Sequence, residues 1–494
     1  MLPSDDFDSN QKYFVMKRIT ALITVCLLIL AGCTDDFDEI NTNNNEPESV
    51  TPDLLLSTVI SNTLTDLVNT GWNNGNIVSQ LTAKINFTGF DRYNWGSESG
   101  KWNNFYGDLT EVEMIIASAR AEETRNASYE AIALVMKSYI YSNLTDSWGS
   151  VPYLDAIKGA TDGAFQPGYD SQETVYTGIL SDLAQANDLL TQGIPILGGD
   201  LLYEGNLVAW RKLANSLRLR YLMRISNRRD VSAEMQQIID NEPIFESNED
   251  NAVLLFPAQS VATSFPISRS RIGSFDEHRL SQTSEAVLKQ FGDNRLDTWF
   301  QPTDNPDDDP TLFVGLPNGL SENNASTFNG GASNVSRLNE ALFFRSPDAV
   351  GSSLMQYAEL QFILAEAAQR GWITGDAATY YESGITASFA YWDTEQDMDA
   401  YLSQPGVAYD GALETIMRQK WLASFMVGLE AWYDFRRTGL PSIIVPGQDN
   451  VNNDQVPVRF LYPDREQSLN ADSYRQAVDA IGGDDINAKG WWED

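Results

Sequence analysis

Cysteine and histidine are almost missing from this chain of 494 residues, which has two cysteines, Cys26 and Cys33, and one histidine, His278. A metal cluster rich in Cys or His is therefore excluded, and neither a metal nor a cofactor is expected. A Ser-His-Asp triad could draw only on His278, which lies in FDEHRLSQ with no nucleophile-elbow motif around it. Positive charge is scarce as well: 33 Lys and Arg stand against 69 Asp and Glu, a net charge of −36. That balance excludes nucleic acid as a partner and excludes binding to anionic lipid through charge. Long hydrophobic runs are absent, because the apolar stretch from Ile19 to Leu30 falls short of the ~20 residues that span a bilayer as a helix. No long Pro/Ser linker divides the chain, and 42% hydrophobic residues suffice for one large core.

What is present at the N-terminus is an export signal. Lys17 and Arg18 precede the apolar run, and Ala31, Gly32 and Cys33 follow it, giving a charged n-region, a short h-region and a small-residue processing site. Leu-Ala-Gly-Cys resembles the bacterial lipobox, which makes Cys33 the expected lipid attachment point and first residue of the mature protein. Removal of residues 1–32 also removes Cys26, so the mature chain keeps no free thiol. The signal is expected to begin at Met16, with the acidic residues 1–15 a misassigned start, and residues 33–47 read as a flexible acidic, Asn-rich tether. Residues 48–494 then form one domain.

Within that domain helical periodicity dominates. Phe105, Leu109, Val112, Ile116 and Ala119 make one apolar stripe, and Ile132, Val135, Met136 and Tyr139 make the next after a break near Arg125, so the two helices form a hairpin. Val175, Ile179, Leu183, Ala186 and Leu190 form a third stripe, and Trp210, Leu213, Ala214, Leu217 and Tyr221 a fourth. A second hairpin joins the stripe Leu360, Ile363, Leu364 and Ala367 to one carrying Tyr381, Ile385 and Phe389; Ser353 and Gln356 have capping-box spacing, Gly371 stops the first helix and Asp376 caps the second. One further helix is expected through LETIMRQKWLASFMVGLEAWYDFRR, after Asp410. From about residue 242 to 347 the pattern gives way to Asn, Asp, Ser, Gly and Pro with short apolar pieces. The fold class is therefore mainly α, a scaffold of tetratricopeptide-like helical hairpins with a loop-rich insertion containing short strands.

Six blocks carry a resemblance: NLTDSWGSVPYLDA at 143–156, WRKLANSLRLRYLMRIS at 210–226, GDNRLDTWFQPT at 292–303, RQKWLASFMVGLEAWYDFRRTGLP at 418–441, RFLYPDREQSLNADSY at 459–474, and KGWW at 489–492. In this order, behind a lipobox, they resemble the SusD/RagB-like nutrient-binding outer-membrane lipoproteins, in detail the SusD-like subgroup, with Asn294 where that subgroup has proline. The resemblance implies a non-enzymatic lipoprotein held by its lipid alone on the outer face of the outer membrane. Such a protein captures a glycan, or a peptide, and acts as a lid on a SusC-like TonB-dependent barrel transporter. The acids behind Cys33, TDDFDE, resemble the surface-export signal of such lipoproteins.

Several unusual compositions have plain structural readings. The basic run Arg211, Lys212, Arg218, Arg220, Arg224, Arg228 and Arg229 is expected to pair with acids of neighbouring helices. Trp421, Phe425, Trp432 and Phe435 read as core, Trp299 as structural, and Trp491 and Trp492 as docking the C-terminus. DNPDDDP at 304–310 lacks the spacing and glycine of an EF-hand. The stretch most expected to touch ligand is FTGFDRYNWGSESGKWNNFY, residues 87–106, whose rings are interspersed with Gly, Ser and Asn. Tyr93, Trp95 and Trp102 are the expected stacking platforms, Arg92 and Asn103 the polar contacts, Trp72 a weaker candidate, and Arg269, Arg271 and Phe275 contributions from the loop-rich interval. The alternative to a binding protein is a surface glycoside hydrolase using a carboxylate pair, which needs neither His nor Cys.

Overall fold

The computed structural model describes residues 51–493 other than 197 and 308. The expected leader, the expected lipid attachment point Cys33 and the expected tether lie outside the described residues. The chain enters helix α1, Pro52–Thr70, with proline in the first turn, where a missing N–H leaves no helical bond unmade. A π-helical turn over Gly71–Gly75 leads to a short strand β1, Thr82–Lys84. Helices α2, Ser99–Arg120, and α3, Ala127–Trp148, then form the hairpin expected from their stripes. Asn126 caps α3 by accepting from the N–H groups of Ser128 and Tyr129 at 3.0 and 3.3 Å. Every residue of α3 from Ala131 to Trp148 except Lys137 is buried, because α2 covers one side and α4, Gln172–Thr191, the other. Helix α5, Leu207–Arg224, packs next on α4.

The loop-rich interval follows, with strands β2, Ala252–Leu254, and β3, His278–Leu280, and helices α6, Gln282–Gln290, and α7, Glu322–Thr327. β3 runs antiparallel to β1, pairing Thr82 with Leu280 and Lys84 with His278. β2 pairs, with a bulge, to β4, Ser352–Met355. These two-stranded ribbons tie the insertion back to the helical scaffold. Ser353 therefore belongs to a strand, and no capping box forms there: helix α8, Tyr357–Gln369, starts with the Tyr357 N–H donated to Asn251 Oδ1 at 2.6 Å. Helix α9, Ala377–Tyr391, is capped by Asp376 as expected and packs on α8.

The expected long helix after Asp410 is two helices, α10, Leu413–Ala423, and α11, Glu430–Thr438. The break has a steric cause. Gly428 sits in the left-handed region at φ 49, and its carbonyl oxygen lies 1.8 Å from where a Cβ on Gly75 would stand. The connection thus folds tightly against the π-turn after α1, which a continuous helix could not do.

Two members of the basic run, Arg220 and Arg224, make buried ion pairs, while Arg218 donates to Asn215 Oδ1 and Arg229 pairs with Glu234 in the open. Arg220 donates through Nη2 to Glu359 at 2.5 Å, and Arg224 bridges Glu430 at 2.5 Å and Asp146 at 3.2 Å. Arg211 and Lys212 reach Glu242, Glu246 and Asp250, while Arg228 clamps the carbonyls of Trp491 and Glu493. At the C-terminus Trp492 is fully buried, with the guanidinium of Arg436 4.5 Å from its ring centroid. No described helix is long and apolar enough to cross a membrane.

Candidate functional site

The aromatic residues expected to face ligand are core residues. Trp95 is 8% exposed: its ring stacks on Phe90 at 4.6 Å, meets Trp432 edge-on at 5.6 Å, and donates its Nε1–H to the Phe90 carbonyl at 2.9 Å. Trp102 lies buried among Tyr106, Trp148, Tyr169 and Tyr462. Trp72 and Phe275 do come together, stacked at 5.5 Å, but both are buried with His278 against Trp72 at 4.5 Å. Tyr93 is buried beside Asp91, and burial pushes its hydroxyl pKa up. The physical reason is long-range: these rings meet partners from distant parts of the chain, which close over them.

The polar candidates are scattered. Arg269 is exposed and folds back on the Ser264 carbonyl, and Arg271 is exposed at the start of a single helical turn. Asn103 is exposed in a polar groove of about 380 Å³ between α1 and α2, beside Asp66, Asp108 and Glu111. Burial raises the Asp108 carboxyl to about 7, although it accepts from Asn62 and Thr63. Arg92 is half-buried and donates to the Asp449 carbonyl at 2.8 Å. That bond places Arg92 at the edge of the larger cavity.

This larger cavity is a cleft of about 580 Å³ built from four segments: residue 80, the start of α6, residues 317–328, and residues 445–448. Its construction is specific. Gln80, held at φ 57, donates to the Val445 carbonyl at 2.5 Å and accepts from Thr283 at 2.9 Å, while Ser281 donates to the Gln80 carbonyl. Asn318 spends its Nδ2 hydrogens on the Thr82 carbonyl and on Asp91, both at 2.8 Å. Asp91, fully buried, also accepts from the Lys84 N–H, and desolvation raises it to about 7. On the outer wall Asp449 accepts from the Ser321 N–H at 2.8 Å and from Asn324 at 2.6 Å, which holds it below the usual carboxylate range. Gly447 lets the two outer loops touch, since a Cβ there would stand 1.9 Å from the Asn318 carbonyl oxygen.

None of the thirteen lining residues is ionisable, in a chain where 21% of residues are charged. Gln80, Gln282, Asn318, Asn324 and Gln448 contribute primary amides, and Phe328 a half-buried ring. Gln282 and Gln448 are exposed, and among the described residues their side chains engage no protein partner. Amides carry both donors and acceptors, and beside an aromatic face they suit a ligand with hydroxyls on an apolar ring. Among the described residues no group of three or more His, Cys, Asp or Glu is placed to hold a metal ion.

One exposed ring stands next to this cleft. Phe87 is 73% exposed, and its left-handed backbone is pinned by its N–H and that of Thr88, both donated to Glu322 at 2.9 and 3.1 Å. Glu322 opens α7, the helix that supplies Asn324 and Thr327 to the cleft. The 87–106 stretch thus reaches the site through its first residue rather than through its tryptophans. Nothing local in the sequence separates Phe87 from Trp95, but the positive-φ turn and the partnership with Glu322 do.

The family model "SusD-like_2: Starch-binding associating with outer membrane" matches residues 44–463. Among solved structures, an outer-membrane protein of Bacteroides vulgatus described as involved in nutrient binding is 29% identical with a TM-score of 0.79, covering 90% of this chain and 100% of its own. A SusD homologue from Bacteroides fragilis is 28% identical at a TM-score of 0.78, covering 90% and 99%. A chitin-binding protein is 27% identical at 0.78, covering 89% and 99%. No curated protein matches the chain.

Proposed function

Because the chain belongs to the SusD-like family, we propose that it is a cell-surface lipoprotein that captures an oligosaccharide in the amide-lined cleft and passes it to a SusC-like TonB-dependent transporter. The observation that carries this reading is the neutral cleft itself: five primary amides and the Phe328 ring, held by hydrogen bonds that fix Gln80, Asn318 and Asn324. Preformed walls lower the ordering cost of binding, and hydroxyl-rich ligands find both donors and acceptors there. Anchoring through Cys33 and a site that binds without catalysis complete the proposal. The similarity to a chitin-binding protein supports a saccharide ligand over a peptide.

The experiment is calorimetric titration of the purified protein with neutral hexasaccharides, beside Asn324→Ala and Phe328→Ala variants, with product analysis after long incubation. Binding that weakens in both variants, with the sugar recovered intact, is the expected result. Turnover of the sugar, or full affinity in both variants, contradicts it.

A further inference from the structure

Resting on the reading of the cleft as a saccharide site, we propose that it selects uncharged oligosaccharides and rejects those carrying carboxylate or sulfate groups. The lining offers no cation to receive an anionic substituent, so an acidic sugar entering it would lose hydration without a charged partner.

The charges just outside the lining add repulsion. Asp449 stands behind Asn324 at 2.6 Å, and Glu322 opens the helix that carries Asn324. Hydrogen bonds from backbone N–H groups lower the pKa of both Asp449 and Glu322, which keeps them ionised at neutral pH. The nearby cations are mostly engaged. Lys84 pairs with Glu277 at 2.5 Å, and Lys289 with Glu285 at 2.7 Å. Arg92 is held on the Asp449 carbonyl and lies outside the lining. The fixed charge around the cleft is therefore negative, within a chain of net charge −36. An amide-lined, cation-free cleft inside such a field discriminates by charge before it discriminates by sugar stereochemistry.

The test uses pairs of hexasaccharides matched in linkage and differing in charge: β-1,4-mannohexaose with hexamannuronate, and cellohexaose with its C6-carboxylate form, together with N-acetylated chitohexaose. Titrations are run on the purified protein at low and high salt, on the parent and on Gln282→Lys. The Gln282 side chain is exposed and bonds to no described residue, so the lysine adds a charge without dismantling a wall. The expected result is that a neutral member binds at least tenfold more tightly than its acidic counterpart at low salt, a difference of about 1.4 kcal/mol. High salt and Gln282→Lys should each narrow the gap. Equal or tighter binding of the acidic member overturns charge selection while leaving saccharide capture standing. Absence of binding by every neutral and acidic probe overturns the saccharide reading, and the selection with it.

Discussion

The molecule has two regions rich in unusual chemistry, and they are built on opposite principles. Around Trp95, Trp102, Trp432 and Phe460, aromatic rings from both ends of the chain pack into one another and expose almost nothing. Around the cleft, rings are few, and amides come from four separate segments, with Asn318 held by the buried Asp91, Asn324 by the half-buried Asp449 and Gln80 by the Val445 carbonyl. The contrast teaches that aromatic density along this sequence marks where the chain closes on itself, whereas the proposed recognition surface is marked by uncharged amides in an acidic protein. Large rings contribute most when fully buried, while amides are useful to a ligand only when some remain unspent.

The contrast can be broken most forcefully at Trp95. Trp95→Ala should cost about 3–5 kcal/mol of folding stability, read from the denaturation midpoint, because it empties a packed site and removes the contacts to Phe90 and Trp432. A stable variant with weakened sugar binding would reverse the roles assigned to the two regions. Of similar size is the effect expected at a buried ion pair of the helical scaffold. Glu366, fully buried, accepts from Arg437 through both oxygens at 2.7 Å, and Glu366→Ala should cost about 3–5 kcal/mol by leaving that guanidinium short of a buried partner.

A smaller effect sharpens the contrast from the cleft side. Burial raises Asp91 to about 7, so the folded state holds a proton that the unfolded chain releases near pH 4. Between those values the folded state binds more protons, and stability must fall as pH rises, by up to about 1.4 kcal/mol per pH unit for this group. Asp91→Asn should flatten that decline relative to the parent between pH 4 and 7, measured by chemical denaturation at each pH; an unchanged slope would mean that Asp91 is ionised throughout. The smallest effect is expected far from both regions, where Asn126→Ala removes the cap of α3 at about 1 kcal/mol and leaves binding untouched.

Much of the scaffold was legible in sequence because helices are local. The stripes over Phe105–Ala119, Val175–Leu190 and Trp210–Tyr221 are buried as read, and Asp376 caps α9. The break at Gly428 was missed because its cause is the approach of Gly75, about 350 residues away in sequence. The tryptophans of the 87–106 stretch were misplaced for the same reason: Gly, Ser and Asn around Trp95 suggest exposure, but Trp432 and Phe460 cover it. The cleft could not be assembled from sequence at all, since Gln80, Gln282, Asn318 and Gln448 carry no shared motif and meet only through the β1–β3 ribbon and the Gly447 contact.

The measurement that bears most directly on the cleft as the recognition site is calorimetric titration of the double variant Asn324→Ala, Phe328→Ala with the neutral hexasaccharide that binds the parent most tightly. Its unfolding midpoint should stay close to that of the parent, because Asn324 is exposed and Phe328 only half-buried. A loss of tenfold or more in affinity is the predicted result, as the ring face and one amide are both removed. Parental affinity in the folded double variant would contradict the account and move recognition away from the cleft.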